Sequence, residues 1–328
     1  MANGASSGTG GVSNVKFFGR KYKLSIKFAD GMYTFETPMG SPAMDIKFDC
    51  TYAKGQTARE GIVSILGLSR EHINQITKLS GMTRGKAMSE LVRLKLEAGY
   101  FTDAGMVEIL NGFVWYGTVT APPNMWLTMK VSEYNPMGGK KIQNDFPKEA
   151  LPVKEAVGQI LGLFSKAEGY KFELVDKTQD KLLLGGKLPS VVLDLPSEIS
   201  LSDAIVELNR QCSHDVQFLL RTRGESIDSK TRHLLVLDKA GDKVTPVGDA
   251  EVDGDNGLLS VTGIDAVNGC VTTFLDGRID DELSHLKLSS KLNPHSSGRY
   301  YIIKKQFVGH YLGQEWYARY FCSDRVTK

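Results

Sequence analysis

The C-terminal residues 298–322 constrain the fold more than any other part of the chain. They contain two runs rich in aromatic and β-branched side chains, joined by a short polar turn with glycines at Gly309 and Gly313. Such runs on either side of a glycine-containing turn are typical of a β-hairpin. Because side chains alternate between the two faces of a strand, Trp316 and every second residue up to Cys322 are expected to share one face.

Length and composition bound the size and the class of the protein. At 328 residues the chain exceeds one typical core, which predicts two or three domains. Its net charge of +2 and its 24% of charged residues are those of an ordinary soluble protein. They are typical neither of a polyanion binder nor of a disordered acidic tail.

Positive charge is concentrated towards the N-terminus. Residues 1–140 hold 16 Lys and Arg against 11 Asp and Glu, whereas residues 141–328 hold 24 against 27. Five cations precede the first carboxylate, Asp30: Lys16, Arg20, Lys21, Lys23 and Lys27. Such a run is compatible with a nucleic-acid patch, but we favour a solvated strand face or a charged protein interface.

Cysteine usage and hydropathy indicate where the protein resides. Cys50, Cys212, Cys270 and Cys322 lie far apart without a C-x-x-C pair, so we expect reduced, structural cysteines rather than a zinc site or a disulfide framework. The N-terminus lacks the features of a secretion signal, and no run approaches about 18 consecutive apolar residues. The protein is therefore expected to stay in the cytoplasm where it is made, with no membrane partner.

A β-rich domain is predicted for residues 15–135, after a flexible arm. Residues 1–14 are small, polar and too poor in apolar side chains to offset the entropy of ordering. Period-two alternation and apolar runs then predict strands at 21–29, 32–36, 44–52, 61–68, 91–100, 106–120 and 125–133. Ser69 is a candidate cap for a short helix with one apolar side, formed by Ile73, Ile76 and Leu79. The simplest closure of this unit is a barrel or a sandwich.

Helical patterns dominate residues 141–240. Pro152 is placed at the first turn of a helix whose apolar stripe is Val153, Val157, Ile160, Leu161 and Phe164, with a strand following at 170–175. Ser200 and Asp203 resemble a capping box before a second helix, which a strand at 216–221 follows. This order indicates either a weak internal repeat or two unrelated helices in one domain. In both cases a compact α/β domain is expected.

Strand patterns return in residues 241–328. Strands predicted at 257–264, 269–274 and 283–289 lead to the C-terminal hairpin, and a second small barrel is the expected architecture. The predicted fold class is therefore α+β, mainly β, with two small barrels and an intervening α/β domain.

Known site motifs each fail at a residue that their chemistry requires. The segment Gly81–Ala87 resembles a phosphate loop but has three residues between its glycines and an Ala after the Lys. Asp249, Glu251 and Asp253 echo a calcium loop, whose twelfth position must be Glu and is Ser260 here. Cys212 and His214 lie two apart, a spacing that chance neighbours on a strand share.

No G-x-S-x-G or H-E-x-x-H motif occurs either. We therefore predict no catalytic, cofactor-binding or metal-binding residue, and the interface residues stay unknown. A carboxylate pair for glycoside cleavage among the 38 acidic residues stays open.

The aromatic side chains of the hairpin allow two interpretations. They are Tyr300, Tyr301, Phe307, Trp316, Tyr317, Tyr320 and Phe321. They could form a stacking platform for bases or sugars. Alternate members of a hairpin normally face a core, and the others serve cross-strand pairing or a subunit interface, which is the interpretation we favour.

Several passages together resemble one protein family. The hairpin opens with G-x-Y-x-I at Gly298–Ile302; Leu94–Tyr100 ends in A-G-Y, Ile109–Val114 reads I-x-x-G-x-V, and a proline-marked turn and apolar strand follow at Pro122–Met129. In this order, over about residues 17–322, they resemble the baseplate hub family of contractile phage tails. Late control protein D and the N-terminal part of VgrG belong to that group.

The resemblance implies a structural role rather than catalysis. Hubs of this family are homotrimeric rings that link the tail tube to the central spike, and each chain supplies two barrels similar to the tail-tube fold. The implied partners are two further copies, the tail tube protein, the central spike protein and other baseplate proteins, with no nucleotide and no cofactor. The implied location is the virion tail baseplate, assembled in the host cytoplasm. A peptidoglycan- or carbohydrate-acting tail protein and a VgrG-type hub of a secretion machine are the alternatives.

Overall fold

The computed structural model describes residues 19–28, 31–37, 44–53, 58–80, 92–101, 105–134, 140–143, 146, 148–178, 181–212, 215–222, 224–238, 250–255, 257–262, 269–276, 285–291 and 294–325. The predicted N-terminal arm, residues 1–14, and the segment Gly81–Ala87 lie outside these residues.

Strands dominate the described part of the chain, which confirms the predicted α+β, mainly β, class. The N-terminal part contains β1 (Arg20–Lys27), β2 (Met32–Glu36), β3 (Ile46–Ala53), β4 (Glu60–Leu66), α1 (Arg70–Ser80), β5 (Arg93–Tyr100), β6 (Met106–Val119) and β7 (Trp126–Ser132). The middle contains β8 (Ile142–Gln143), β9 (Leu151–Pro152), α2 (Val153–Glu168), β10 (Lys171–Asp176), β11 (Ser190–Val191), β12 (Glu198–Ile199), α3 (Leu201–Gln211), β13 (Val216–Arg221) and β14 (Thr231–Asp238). The C-terminal part contains β15 (Ala250–Val252), β16 (Leu258–Thr262), β17 (Gly269–Phe274), β18 (His285–Leu288), β19 (Gly298–His310) and β20 (Trp316–Arg325).

Thirteen strands from the two ends of the chain form one hydrogen-bonded sheet. Its main path runs β16, β17, β20, β19, β3, β4, β7, β6, β5, β1, β2, and β18 and β15 branch from β19. The path crosses from the C-terminal to the N-terminal strands where β19 pairs with β3. Among the described residues the path stays open, with β16 and β2 at its ends.

Alternation of side chains explains why these segments become strands. In β3, Ile46, Phe48 and Cys50 are buried, whereas Lys47 and Asp49 between them are exposed. A segment with this period satisfies its backbone in a sheet and places one row of side chains in the core. The predicted strands of residues 15–135 are confirmed in this way.

One apolar core lies under this sheet and receives side chains from both ends of the chain. Leu24 and Leu96 come from β1 and β5, whereas Val271 and Leu286 come from β17 and β18, and one cluster buries all four. The two β regions are therefore packed against each other as well as hydrogen-bonded.

Helix α1 packs on this core. The Oγ of Ser69 accepts a hydrogen bond from the N–H of His72 at 3.2 Å, which confirms the predicted cap. Ile73 and Ile76 are buried, as the apolar stripe predicts.

The middle of the chain forms a smaller α/β unit. Its sheet has the order β10, β14, β13, in which β10 is parallel and β13 antiparallel to β14. Helices α2 and α3 pack on this sheet. The core of the unit also includes Phe113 and Tyr134 of the N-terminal part. Both predicted helix-then-strand pairs are present, but their strands β10 and β13 run in opposite directions.

The predicted signals of α2 and α3 are confirmed, with one correction. Ser200 and Asp203 form a reciprocal capping box at the start of α3. The apolar stripe of α2 is buried along its whole length. Pro152 lies before α2 rather than in its first turn, since its ψ of 133° is extended and it pairs with Ser190 in the ladder of β9 and β11.

Candidate functional site: the C-terminal hairpin and the seam

The predicted hairpin, β19 and β20, lies where the two β regions meet. One edge of β19 pairs along its length with β20. The other edge pairs first with β18, through residues 298–301, and then with β3, through residues 304–310. We call the second pairing, between residues 47–53 of β3 and 304–310 of β19, the seam. A single strand thus holds the C-terminal strands and the N-terminal strands together.

The seam depends on a glycine that sequence reasoning placed in the turn. Gly309 lies inside β19, opposite Phe48, and a Cβ at Gly309 would lie 2.2 Å from Cζ of the Phe48 ring. No other residue leaves room for this ring, because real Cβ contacts are longer. The expectation that Gly309 belongs to the turn is therefore wrong, and the close approach of two strands is the physical reason for it.

Trp316 anchors the hairpin to the N-terminal strands. Its side chain is only 3% exposed, and its Nε1–H donates to the carbonyl oxygen of Gly99 in β5 at 3.1 Å. Its ring lies 5.3 Å from that of Phe48, edge to face. Ala318, Tyr320 and Cys322 are buried on the same side of β20, which confirms the predicted face.

Arg20, at the start of β1, fixes the tip of the hairpin. Its guanidinium donates to four turn carbonyls: those of His310 at 2.9 Å, Tyr311 at 3.1 Å, Gly313 at 2.5 Å and Gln314 at 3.1 Å. A cation that satisfies these carbonyls holds the turn in one conformation. The turn therefore depends on a residue that is almost 300 positions away in sequence.

Asp45 secures the same tip from the other side. Its carboxylate accepts from Nε2 of His310 at 2.9 Å and from the N–H of Leu312 at 3.1 Å. Gly313 is required here as well, because a Cβ would lie 2.1 Å from Nδ1 of His310. Leu312 is held at the end of this rigid tip with its side chain 69% exposed.

Three of the four basic residues that the structure describes before Asp30 are engaged within the chain. Arg20 binds the hairpin tip, Lys21 lies 3.6 Å from the carboxylate of Glu36, and Lys27 forms an ion pair with Asp228. These contacts account for three of the five cations that precede Asp30.

A second contact, which we call the polar junction, joins the large sheet to the α/β unit. At its centre the carboxylate of Glu133 is fully buried, 3.2 Å from Nε of Arg59 and 3.2 Å from Nη1 of Arg221. Around it, the segment 221–229 of the α/β unit hydrogen-bonds to β5 and β6. The bonds are those of Asn111 Nδ2 to the carbonyl oxygens of Thr222 (3.2 Å) and Glu225 (3.1 Å), and of Arg93 Nη1 to that of Ser229 (2.8 Å).

No local sequence pattern predicts the polar junction. Arg59 and Glu133 flank strands, where charged side chains are normally solvated. In the structure both are buried, and Arg221 from the α/β unit pairs with Glu133. A charged residue at the end of a strand gives no local sign of such a partner.

The aromatic side chains of the hairpin divide between two environments. Tyr300, Phe307, Trp316 and Tyr320 are buried in the core. Tyr301, Tyr317 and Phe321 are half-buried, and the last two lie beside cations, with Arg319 4.8 Å from the Tyr317 ring and Lys304 4.9 Å from the Phe321 ring. The geometry is that of strand alternation, with cation–π pairs on the outer face.

The structure describes some of the residues of the two motifs that resemble a thiolate–imidazole pair and a calcium loop. Cys212 is buried at the C-terminal end of α3, not on a strand, and burial raises the pKa of its thiol to about 11. His214 lies outside the described residues. The carboxylate of Asp253 accepts a hydrogen bond from the backbone N–H of Asp255 at 2.8 Å. The carboxylate of Asp255 accepts one from Nζ of Lys291 at 2.7 Å.

The part of the chain that the structure describes contains neither a cluster of metal-ligating side chains nor a membrane-spanning helix. It contains no group of three His, Cys, Asp or Glu side chains placed to hold a metal ion. None of its helices has the length and apolar character needed to cross a membrane.

The fold has counterparts among solved structures. The chain is similar to a tail protein from Neisseria meningitidis MC58, with a TM-score of 0.52 and 9% identity over 94% of this chain and 97% of that one. It is also similar to the 43 kDa tail protein of prophage MuSo2 from Shewanella oneidensis, with a TM-score of 0.51 and 10% identity over 93% and 97%. At such low identity, these similarities establish a shared fold.

A weaker similarity reaches a type VI secretion component, the E. coli c3393 protein. Its TM-score is 0.47, with 8% identity over 92% of this chain and 78% of that one, which is too low to support an argument. No protein-family model and no curated protein matches the sequence.

Proposed function

We propose that this protein is a structural component of a phage tail, and specifically the baseplate hub that joins the tail tube to the central spike. The observation that carries the proposal is the fold, which the chain shares along 94% and 93% of its length with two tail proteins, the second of them from a prophage. The sequence resemblance at 94–100, 109–114, 122–129 and 298–322 points to the same group independently of the structure.

The seam supports the finer part of the proposal, a homotrimeric ring. In this reading, residues 15–135 and 241–328 are two tail-tube-like barrels, and three chains supply six of them to match a sixfold tube. A closed ring requires neighbouring subunits to meet through a repeated contact. Within one chain the seam already joins two β regions edge to edge. Each chain would thus supply one of the six contacts between neighbouring β regions of the ring through its own seam. The α/β unit of residues 141–240 lies at the periphery.

The proposed partners follow from this position. They are two further copies of the chain, the tail tube protein, the central spike protein and other baseplate proteins. The proposed location is the virion tail, after assembly in the host cytoplasm. The function is mechanical, without catalysis, nucleotide or cofactor.

The mass of the assembled protein tests this proposal. The purified chain, alone and mixed with candidate tube and spike proteins, is measured by native mass spectrometry. We expect a species of three times 36.1 kDa, alone or with the spike protein. A chain that remains monomeric with both proteins present contradicts the hub assignment.

A further inference from the structure

Two buried arginines meet between the large sheet and the α/β unit. Arg93 is the first residue of β5 and is 5% exposed, and Arg232 is the second residue of β14 and is 2% exposed. Nη1 of both guanidinium groups donates to the carbonyl oxygen of Ser229, at 2.8 Å from Arg93 and 3.3 Å from Arg232. Two like charges therefore converge on one neutral acceptor.

The opposite edge of each guanidinium is unused. Nε and Nη2 of Arg93, and the same two atoms of Arg232, are buried and have no acceptor among the residues that the structure describes. In arginine the Nε and Nη2 hydrogens point in parallel and form the fork that binds a carboxylate or a phosphate through two bonds. The pair thus presents two desolvated, unoccupied forks.

Aromatic rings shape the space around the pair. The guanidinium carbon of Arg232 lies 4.2 Å from the ring centroid of Tyr170 and 5.3 Å from that of Phe113, and that of Arg93 lies 5.9 Å from both. Ring faces attract a cation but offer no acceptor in the plane of its N–H bonds. The Tyr170 hydroxyl adds one side-chain hydrogen bond to Arg93, but it supplies no counter-charge. Nε and Nη2 of both arginines still have no acceptor among the described residues.

The nearby carboxylates are engaged elsewhere. Glu225 bonds to Nε2 of His233 at 2.8 Å, Asp228 pairs with Lys27, and Glu133 is held by Arg59 and Arg221. Desolvation, together with the charge of Arg93, lowers the pKa of Arg232 to about 9. A buried cation without a counter-ion is costly, and two adjacent ones cost more. An anion at the forks removes that cost.

We propose that Arg93 and Arg232 bind a small oxyanion, of the phosphate or sulfate class, between the large sheet and the α/β unit. Its oxygens accept from the free Nε and Nη2 edges of both side chains, and its two negative charges balance theirs. Because Arg93 belongs to β5 and Arg232 to β14, the bound ion cross-links the two units. This site does not depend on the proposed role in a phage tail.

Anion-dependent stability tests this inference. The full-length chain is dialysed into chloride buffer free of phosphate and sulfate, and its melting temperature is followed as phosphate or sulfate is added at constant ionic strength. We expect a saturable increase that chloride does not reproduce. No increase, or one that does not saturate, overturns the proposal.

Three variants locate the effect. Arg232→Lys keeps the charge but loses the fork, and should weaken phosphate binding by roughly tenfold or more. Arg93→Met should abolish the saturable increase. Arg210→Met removes a largely exposed arginine of α3 and should leave the increase unchanged. Equal responses from all three overturn the site.

A crystallographic experiment covers the case in which the variants fail to fold. Crystals of the unmodified chain are grown with selenate in place of sulfate, and the anomalous signal of selenium is recorded. A peak within hydrogen-bond distance of both forks supports the proposal. A water molecule or a side chain of the protein at the forks, or selenate only elsewhere as an adventitious ion, contradicts it.

Discussion

The seam and the polar junction join parts of the same molecule by different physical means. The seam is a ladder of backbone hydrogen bonds between residues 47–53 and 304–310, backed by the buried rings of Phe48 and Trp316. The polar junction is a buried carboxylate, Glu133, held between Arg59 and Arg221. One contact extends the core across the two β regions, and the other attaches the α/β unit through charge.

The difference determines how each contact fails. A backbone ladder over an apolar core loses stability in proportion to the core volume that is removed. A buried ion pair adds little net stability when intact, but losing one partner leaves an uncompensated charge, which is strongly destabilising.

Removing the anchor of the seam should have the largest effect. Trp316→Ala empties a large buried volume and leaves the carbonyl oxygen of Gly99 without its donor, at a cost of about 3–5 kcal/mol. This is a large part of the roughly 5–15 kcal/mol that stabilises a domain. Insoluble protein, or a greatly lowered urea midpoint, is expected. Deletion after Gly313 should be at least as severe.

Two control variants show whether the loss of stability is specific to Trp316. Trp126→Ala removes a half-buried tryptophan near the hairpin tip and should cost much less. Removing residues 2–14 should leave folding intact. If Trp316→Ala were as soluble and as stable as the parent, the hairpin would have to be re-examined as an exposed binding surface.

Neutralising the polar junction should come second. Glu133→Gln keeps the volume but leaves the guanidinium groups of Arg59 and Arg221 buried without a counter-charge, at a cost of about 3 kcal/mol. Glu60→Gln is the matched control, because Glu60 pairs with Lys130 at the surface and should change stability by about 0.5 kcal/mol or less. Urea denaturation of both variants provides the comparison. Equal effects would show that the junction is solvated.

A glycine in the seam provides a smaller test. Gly309→Ala forces the new Cβ against the ring of Phe48, with an expected cost of about 1–3 kcal/mol. Gly162→Ala places the same methyl group in open space on α2, where it should stabilise the protein by about 0.5–1 kcal/mol. The melting temperature should therefore fall in Gly309→Ala and rise in Gly162→Ala. A shift of the same sign in both would contradict the close approach of β3 and β19.

Asp176 in the α/β unit gives the smallest effect, and it depends on pH. Burial raises the pKa of Asp176, but hydrogen bonds from Leu184, Thr178 and Leu183 outweigh burial and hold the pKa below its ordinary value of 3.8. Since the folded pKa is the lower one, the carboxylate stabilises the protein fully above pH 3.8, and this contribution is lost as the pH falls through the folded pKa. Asp176→Asn should therefore cost about 1–2 kcal/mol at pH 7 and progressively less below pH 3.8. Urea denaturation of the parent protein and of Asp176→Asn at several pH values measures the difference in their free energies of unfolding. A difference that does not change with pH would contradict the lowered pKa of Asp176.

Local elements were predictable because their signals are local. The alternation in β3, the capping box of Ser200 and Asp203, and the buried face that begins at Trp316 all follow from periodicity and side-chain chemistry within about ten residues. The predicted α+β, mainly β, class rests on such signals.

Contacts between distant residues were not predictable from the sequence. Arg20 reads as one of five clustered cations, and its partners lie in a turn at the other end of the chain. Gly309 looks like a turn residue in the sequence, because the strand that leaves no room for a Cβ at this position is β3, which is far away along the chain. The unused forks of Arg93 and Arg232 become visible only when two units are brought together. The division into two barrels, the flexible arm and the trimer stay predictions.

Electron microscopy of the assembled protein shows directly whether three copies form the proposed ring. The chain is mixed with the proposed partners, a tail tube protein and a spike protein, and averaged images are inspected along the symmetry axis. We expect a closed threefold ring with six β lobes, in which the seam joins the lobes in pairs and the three α/β units lie outside. Separate copies, or copies whose two β regions move independently of each other, would contradict this expectation.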